Sequence, residues 1–467
     1  MYRIIEIDMK RGCPLARIDK YDMTEGVEWR QILLFSLPIM AGNLLQQLYN
    51  TVDGIVVGNF VSQNALAACG TAGTLALIFL AFAIGFGNGS GIMIAQLFGA
   101  KRYEELRSAV STALILLVGM GAVLSVLGCL GARVLLHGLL NVESGEVLEL
   151  AAAYFSIYAV GLVLQFLYNA VAAILRAIGD SKATLYFLLV SSVMNLVLDL
   201  AFVIWFRWGV AGVAIATVLS QLCSAIVSVG YMFKKYPMFR FGKGEFVFKR
   251  DKCVLCLRLG VPTTIQQSIV SFGNVFIQRL INSFGEITMA AFTVGVRIEN
   301  YLFVPAVGFN TGMATFTAQN IGARRIDRVR RGVRATICMT LIVAVTLELV
   351  SYFCATPISV LFGVADEALV QSVAYVRFLS FFFWIFAVYM VFAGALQGSG
   401  DVGFATVCSL SALSVRVALA YILVYAFAMD YAAIWTAMPV GWGVAMILGI
   451  IRYHTGGWKR KGIVKHG

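Results

Sequence analysis

Two phrases in this chain occur twice. Ala95-Gln96-Leu97-Phe98-Gly99-Ala100-Lys101-Arg102 returns as Ala318-Gln319-Asn320-Ile321-Gly322-Ala323-Arg324-Arg325 at an offset of 223. Leu175-Arg176-Ala177-Ile178-Gly179-Asp180 returns as Leu396-Gln397-Gly398-Ser399-Gly400-Asp401 at an offset of 221. Two independent phrases recurring at nearly half the 467-residue length imply duplication of a block of about 220 residues. In a membrane protein, paired repeats are the architecture of secondary transporters.

The membrane follows from composition. With 60% hydrophobic residues and 13% charged, a water-soluble fold of this size would have more apolar surface than it could hide. A bilayer-spanning helix needs roughly 20 mostly apolar residues. The chain supplies twelve such runs, near 32–57, 65–97, 108–136, 151–175, 183–206, 210–233, 256–281, 287–318, 334–356, 370–396, 403–427 and 430–451. Six fall in each half, and they are continuously apolar, which disfavours a β-barrel. The expected fold is an all-α integral membrane protein of twelve spans in two six-helix lobes. Its divisions are an N-terminal segment 1–30, a first lobe 31–234, a linker 235–254, a second lobe 255–452 and a basic tail 453–467.

A net charge of +12 invites a nucleic-acid reading, but the placement of the basic residues argues for a membrane. Alternate loops carry 30 Lys and Arg against two, Arg133 and Arg207, on the opposite side. That asymmetry predicts both termini in the cytoplasm and an even number of spans. Six spans per repeat then give both copies one orientation, with a pseudo-twofold along the membrane normal. Residues 1–30 hold charges throughout and no apolar h-region, so span 1 is expected to direct insertion itself. The basic stretch 234–258, with Lys234, Lys235, Lys243, Lys249, Arg250 and Lys252, reads as an inter-lobe tether on an anionic membrane face. Lipids and small molecules are the expected partners, nucleic acid is not, and the expected state is a monomer.

Some motifs carry less than their pattern suggests. Cys253-Val-Leu-Cys256 stands without a second pair or nearby histidines, so two buried thiols are a better reading than zinc or redox chemistry. The glycine run Gly85 to Gly91 has a phosphate-loop look, yet it lies inside span 2, and Gly308 and Gly312 echo Gly85 and Gly89 at offset 223. Helix packing or hinging explains it, with Pro305 as a second bending point. No G-x-x-x-x-G-K-[ST] is present, so transport has to draw on an ion gradient or on substrate alone.

Ionisable side chains at membrane depth are expensive and so mark function. Asp53 lies about 19 residues along span 1 and Asp199 about 16 along span 5, which gives them one depth. Asn195 shares a helix face with Asp199, and Thr217 in span 6 falls at the same level. Two carboxylates in a low-dielectric cavity need either a proton or a hard cation, so Asp53, Asn195, Asp199 and Thr217 form a candidate coupling site for H+ or Na+, with no organic cofactor.

At these residues the sequence resembles a family. Leu37-Pro38, Asp53-Gly54, Gln96-x-x-Gly99-Ala100, Arg176-x-x-Gly179-Asp180, Asn195-x-x-x-Asp199 and Gln319-x-x-Gly322-Ala323, in this order across the spans, resemble a bacterial multidrug and toxic compound extrusion (MATE) transporter of the DinF-like, Firmicute type. The resemblance implies a V-shaped, two-lobed antiporter that exports organic cations in exchange for H+ or Na+. It also implies that Asp53, Asn195, Asp199 and Thr217 form the cation site of the first lobe. Residues 1–22 match no part of that family, which makes Met23 a second candidate start.

The second half departs from it. Another branch of the family uses acids in spans 7 and 10, where this chain offers Gln266, Gln267, Ser271, Asn274 and Gln278, and no acid between Gln371 and Gln397. Glu299 in span 8 and Arg416 in span 11 remain, at comparable depth. An ion pair of Glu299 with Arg297 or Arg416 is the expected arrangement, and a substrate-binding role the alternative. Glu348 is a weaker candidate. Tyr49, Met40, Phe166, Tyr168, Met194 and the aromatic run 381–384 are available for flat cationic drugs. A lipid-linked saccharide flippase would need more basic residues at depth than Arg279, Arg297, Arg377 and Arg416. An intramembrane enzyme would need a buried catalytic set, and His137, His454 and His466 all lie in loops or tails. A channel is distinguished from an exchanger by conductance.

Overall fold

The computed structural model describes residues 22–60, 63–140 and 145–464, with side chains at 50, 52–60, 63, 66, 139–140 and 271–272 outside that description. Among the described residues there are fourteen α-helices and no strand. The first half holds α1 (Glu28–Phe60), α2 (Gln63–Gly99), α3 (Tyr103–Leu140), α4 (Glu146–Val160), α5 (Leu162–Ala177), α6 (Ser181–Leu200) and α7 (Gly209–Lys235). The second holds α8 (Arg250–Asn282), α9 (Glu286–Gly322), α10 (Ile326–Leu361), α11 (Asp366–Ser380), α12 (Phe383–Ser399), α13 (Val402–Tyr425) and α14 (Ala432–Thr455). Ten helices are long and apolar enough to cross a membrane, and twelve spans result if each of two bent pairs counts as one. Those pairs are α4–α5, bent by 48° at Gly161, and α11–α12, bent by 52°. Hydropathy alone shows them as unbroken runs, because a bend costs no apolar character.

The repeated phrases are turns. In the first, Ala100 N bonds to Gln96 O, Lys101 N to Phe98 O and Arg102 N to Leu97 O, and Ala323, Arg324 and Arg325 repeat that pattern. Lys101 and Arg324 both adopt left-handed backbone, φ 57° and 59°. In the second, Gly179 and Gly400 each have φ 93°, the conformation that glycine adopts at least cost after a helix. The aspartate that follows is buried in both copies. Asp180 accepts bonds from Lys235 Nζ at 2.8 Å, Tyr231 OH at 2.9 Å and Tyr236 OH at 2.7 Å. Asp401 accepts one from Arg452 Nε at 2.7 Å. Tyr231 and Arg452 are themselves 221 apart, so the register of the repeat holds through the last helix of each half.

The chain divides into two compact units. Among the described residues one holds 41–264, the other Met23–Met40 with 265–464. The first part of α1 therefore belongs with the second half, and the first part of α8 with the first half. Each change of unit falls two residues after an in-helix proline, Pro38 in α1 and Pro262 in α8. Proline removes a backbone hydrogen bond and lets the two parts of a helix take different directions.

Within the first unit, α2 approaches α8 through Gly85 and Gly89. A Cβ at Gly89 would lie 2.5 Å from the Gly260 amide nitrogen, and one at Gly85 2.7 Å from that of Thr264. Gly308 and Gly312 on α9 give α1 the same access in the second unit, where a Cβ would collide with Met40 and Ser36. The glycine run is a packing surface inside a continuous helix, in agreement with the sequence argument.

A clamp holds the strap before α1 in the second unit. Gln319 Oε1 accepts from Met23 N at 2.8 Å, and Asn320 Nδ2 donates to Met23 O at 3.1 Å. Arg325 NH1 donates to Thr24 O, and Arg328 donates to the carbonyls of Met23, Glu25 and Gly26 and to Glu28 Oε1. Met23 is 1% exposed beneath them. In the first unit the segment before α8 docks on α3 instead: Ser111 Oγ donates to Val247 O at 2.9 Å, and Lys252 Nζ to Glu105 Oε2 at 2.7 Å. The linker is thus a folded strap, with Tyr236 and Phe239 fully buried. The Gly242 amide, and after it the Arg107 guanidinium, hold the Glu245 carboxyl below the ordinary glutamate range.

Two predictions follow from this packing. Gly89→Ala is expected to cost about 1–3 kcal/mol by overpacking against Gly260, read as a lower melting temperature in detergent. Gly70→Ala, with open space around the new methyl, leaves the melting temperature unchanged or raises it. Arg328→Met removes charge-assisted bonds to three carbonyls and is expected to cost about 2–3 kcal/mol. Arg330→Met, whose partner Asp327 is exposed, shifts stability by less than about 0.5 kcal/mol in the same assay.

Candidate functional site

The acid-bearing layer of the first unit is built on α1, α6 and α7. Asn195 and Asp199 are 2% and 1% exposed, and their spacing of four puts both on one face of α6. The Asn195 carboxamide, oriented by its neighbours, donates to Asp199 Oδ2 at 2.9 Å and to Tyr49 OH at 2.6 Å, while its oxygen accepts from Thr217 N at 3.2 Å. Thr217 Oγ1 donates to Val213 O at 2.9 Å within α7. Immediately beyond Asp199 the helix widens into a π turn, Ala201–Trp205, a local irregularity that re-aims the end of a helix and recurs at functional sites.

Three of the four residues predicted for coupling, Asn195, Asp199 and Thr217, thus meet in one place. Asp53 lies in the helical backbone of α1, one turn beyond Tyr49, and its side chain lies outside the described residues. Tyr49 joins the cluster through Asn195, although the sequence argument placed it among drug-contacting aromatics. The signal was present, since Tyr49 and Asp53 are four apart and share a helix face.

A second group of polar residues, on α4, α5 and α7, was missed. Gln165 Oε1 accepts from Tyr158 OH at 3.0 Å and from Gln221 Nε2 at 2.7 Å, and Asn169 Nδ2 donates to Gln165 O at 2.8 Å. Gln221 stands one turn beyond Thr217 on α7, and its Oε1 is buried without a hydrogen-bond partner. Amides attract no attention in a hydropathy scan, which explains the omission.

The second unit is organised differently. Glu299 on α9 is 7% exposed and accepts from Tyr375 OH at 2.6 Å. Tyr375 OH also lies 3.6 Å from Met438 Sδ. Among the described residues neither Arg297 nor Arg416 comes within ion-pair distance of Glu299, which corrects the expected ion pair. Arg297 is exposed, and Arg416 acts on Glu299 only through space. The hydrogen bond to Glu299 comes from a tyrosine hydroxyl and not from a guanidinium. Gln266 Nε2 donates to Ser409 Oγ at 2.9 Å, with Tyr389 OH on the same hydroxyl at 3.1 Å. Asn274 and Gln278 are exposed, and Gln278 bonds Asn282, so they do not join Glu299. Glu348 accepts the Trp384 amide at 2.7 Å. No cluster of three His, Cys, Asp or Glu suited to a metal ion occurs among the described residues, and Cys253 and Cys256 are free thiols.

Comparison with known proteins agrees with this architecture. The MatE family model matches residues 38–201 and 262–422, one segment in each half. The chain is 31% identical over 445 residues to the probable multidrug resistance protein YoeA of Bacillus subtilis, covering 94% of this chain and 96% of that one. It superposes on the crystal structure of MATE in the straight conformation with a TM-score of 0.88 at 24% identity, over 94% and 99% of the two chains. The bent conformation gives 0.87 at 24% identity, over 95% and 98%. The duplicated turns, the twelve apolar spans and the family match in both halves converge: the chain belongs to the MatE family of multidrug efflux transporters, and it is not an enzyme.

Proposed function

We propose that this transporter is a secondary antiporter that exports small organic cations in exchange for H+. The observation that carries the proposal is the Tyr49–Asn195–Asp199–Thr217 cluster in the first unit, with Asn195 and Asp199 buried and Tyr49 and Thr217 half-buried. A carboxylate in a low-dielectric interior is stable only with a proton or a cation beside it. Its charge state can therefore be exchanged for that of a cationic substrate, which is what coupling requires. Asp53, one turn from Tyr49 on α1, is the second carboxylate of this site.

A proton is favoured over Na+ by the donors on hand. Sodium needs several oxygens around it, and the Asn195 group that faces Asp199 Oδ2 and Tyr49 OH is the amide nitrogen, which is no ligand for a cation. A proton needs only the carboxylate. The 30-to-two distribution of basic residues supports both termini in the cytoplasm, so that protons enter from outside as substrate leaves.

Three outcomes test the proposal. In proteoliposomes with an imposed ΔpH, Asp53→Asn and Asp199→Asn are each expected to lower gradient-driven efflux of a fluorescent cation more than tenfold while the proteins retain their melting temperatures. Unchanged coupling in both variants would remove the site assignment. Tyr49→Phe deletes one hydrogen bond to the cluster, worth about 1.5 kcal/mol, and should slow efflux roughly tenfold. Thr217→Val should stay within about threefold of wild type under a proton gradient, since its hydroxyl is not a proton site; a larger loss restored by Na+ would move the coupling ion to sodium.

A further inference from the structure

The strap between α7 and α8 has its acids answered and its cations left over. Glu245 accepts from the Arg107 guanidinium at 2.6 Å and from the Gly242 amide at 2.7 Å. Asp251 lies 3.7 Å from the Lys252 ammonium. Of the five cations between 236 and 252, Lys252 is spent on Glu105 of α3 at 2.7 Å, and Arg240 Nε donates to Phe233 O at 2.7 Å. The other three, Lys243, Lys249 and Arg250, are exposed, and among the described residues their side chains have no acid or hydrogen-bond acceptor as partner. Three positive charges within eight residues are therefore open to a partner outside the chain.

An apolar surface lies among them. Phe246, Val247 and Phe248 are 51%, 41% and 48% exposed, although Tyr236 and Phe239 earlier in the strap are fully buried. This exposure is fixed by the fold. Ser111 Oγ donates to Val247 O at 2.9 Å and Lys249 N donates to Thr112 Oγ1 at 3.1 Å, so the backbone on both sides of Phe248 is fastened to α3. Phe246 packs edge-on against Phe241 with ring centroids 5.3 Å apart, and the Arg107 guanidinium lies over the Phe241 ring. The apolar exposure continues into α8, where Val254, Leu257 and Val261 share one face and are all exposed. In a membrane span such a face is turned to lipid, so the strap enters α8 at the edge of the hydrocarbon. Aromatic rings with lysine and arginine beside them, at the end of a span, suit the headgroup region.

We propose that residues 243–250 are a docking surface for an anionic bilayer. Phe246 and Phe248 enter the boundary between headgroups and acyl chains, and Lys243, Lys249 and Arg250 bind the phosphates of anionic lipids around them. An acidic protein would answer the cations but has no apolar layer in which to place the two rings, whereas a bilayer supplies both. The attachment is independent of the ion that drives transport. It makes the docking of the strap on α3, and with it the entry into α8, responsive to the charge of the surrounding lipid.

Amide hydrogen exchange of the full-length protein in lipid nanodiscs reads this segment directly. Each basic residue near an anionic surface contributes roughly fivefold to attachment, so three contribute about a hundredfold. Exchange at 243–248 should be slower by about tenfold or more in phosphatidylglycerol than in phosphatidylcholine. Lys243→Gln, Lys249→Gln and Arg250→Gln together should remove that difference, and Phe246→Ser with Phe248→Ser should reduce it several-fold. The same loss of three charges at other exposed positions, Lys182→Gln, Arg334→Gln and Arg460→Gln, should leave it intact. Equal exchange in the two lipids, or a difference that survives the strap substitutions, overturns the proposal. Salt at about 1 M shortens the screening length to about 3 Å and should abolish the difference in wild type, which decides the matter even if a variant fails to fold. A difference that persists at that salt counts against the basic residues. Glycerol phosphate or polyglutamate, added to phosphatidylcholine nanodiscs, should leave exchange unchanged. Protection by the first would mean a site for a free anion, and protection by the second an acidic protein partner; either result overturns the bilayer assignment.

Discussion

A charge inside an apolar helical bundle has to be answered, and the way each one is answered divides this protein into scaffold and machinery. At the helix ends the answers are permanent: Asp180 has Lys235 and two tyrosines, Asp401 has Arg452, and Glu28 has Arg328 and Arg331. These groups hold turns and straps where the repeat needs them. Deeper in the first unit, Asp199 is met by the neutral amide of Asn195, an arrangement that orients a carboxylate without cancelling its charge. Low dielectric makes the charge state of such a carboxylate consequential.

Close backbone approach is the second condition. Lipid supplies no hydrophobic drive for helices to associate, so packing has to come from small residues that let backbones meet. Gly85 and Gly89 do this for α8 in one unit, and Gly308 and Gly312 for α1 in the other. The prolines at 38 and 262 allow each of those crossing helices to serve one unit with its first part and the other with its remainder. Duplication set this pattern in both copies, and the polar residues then diverged within it. Glu299 and Arg416 mark how far that divergence went.

Much of this was legible in the sequence because membranes impose simple rules. Twelve apolar runs, the duplicated turn phrases and the spacing of Asn195 and Asp199 are one-dimensional signals with direct structural consequences. What escaped did so for stated reasons. The bends at Gly161 and at 381–382 do not interrupt hydropathy, so α4–α5 and α11–α12 read as single spans. The exchange of the first parts of α1 and α8 between units is invisible to a repeat count, which cuts the chain at the linker. Tyr49 was set aside as one aromatic among many, and Gln165 and Gln221 were passed over as neutral. The ion pair expected for Glu299 was inferred from depth alone, and depth does not say that a tyrosine stands nearer than an arginine.

The most direct measurement is the membrane potential at which tetraphenylphosphonium flux through the reconstituted protein reverses, taken at several pH differences. Coupling through a proton on the first-unit carboxylates predicts that the reversal potential moves with ΔpH in wild type and is independent of ΔpH in Asp199→Asn. A reversal potential that ignores ΔpH in wild type, or follows it undiminished in Asp199→Asn, would contradict that coupling.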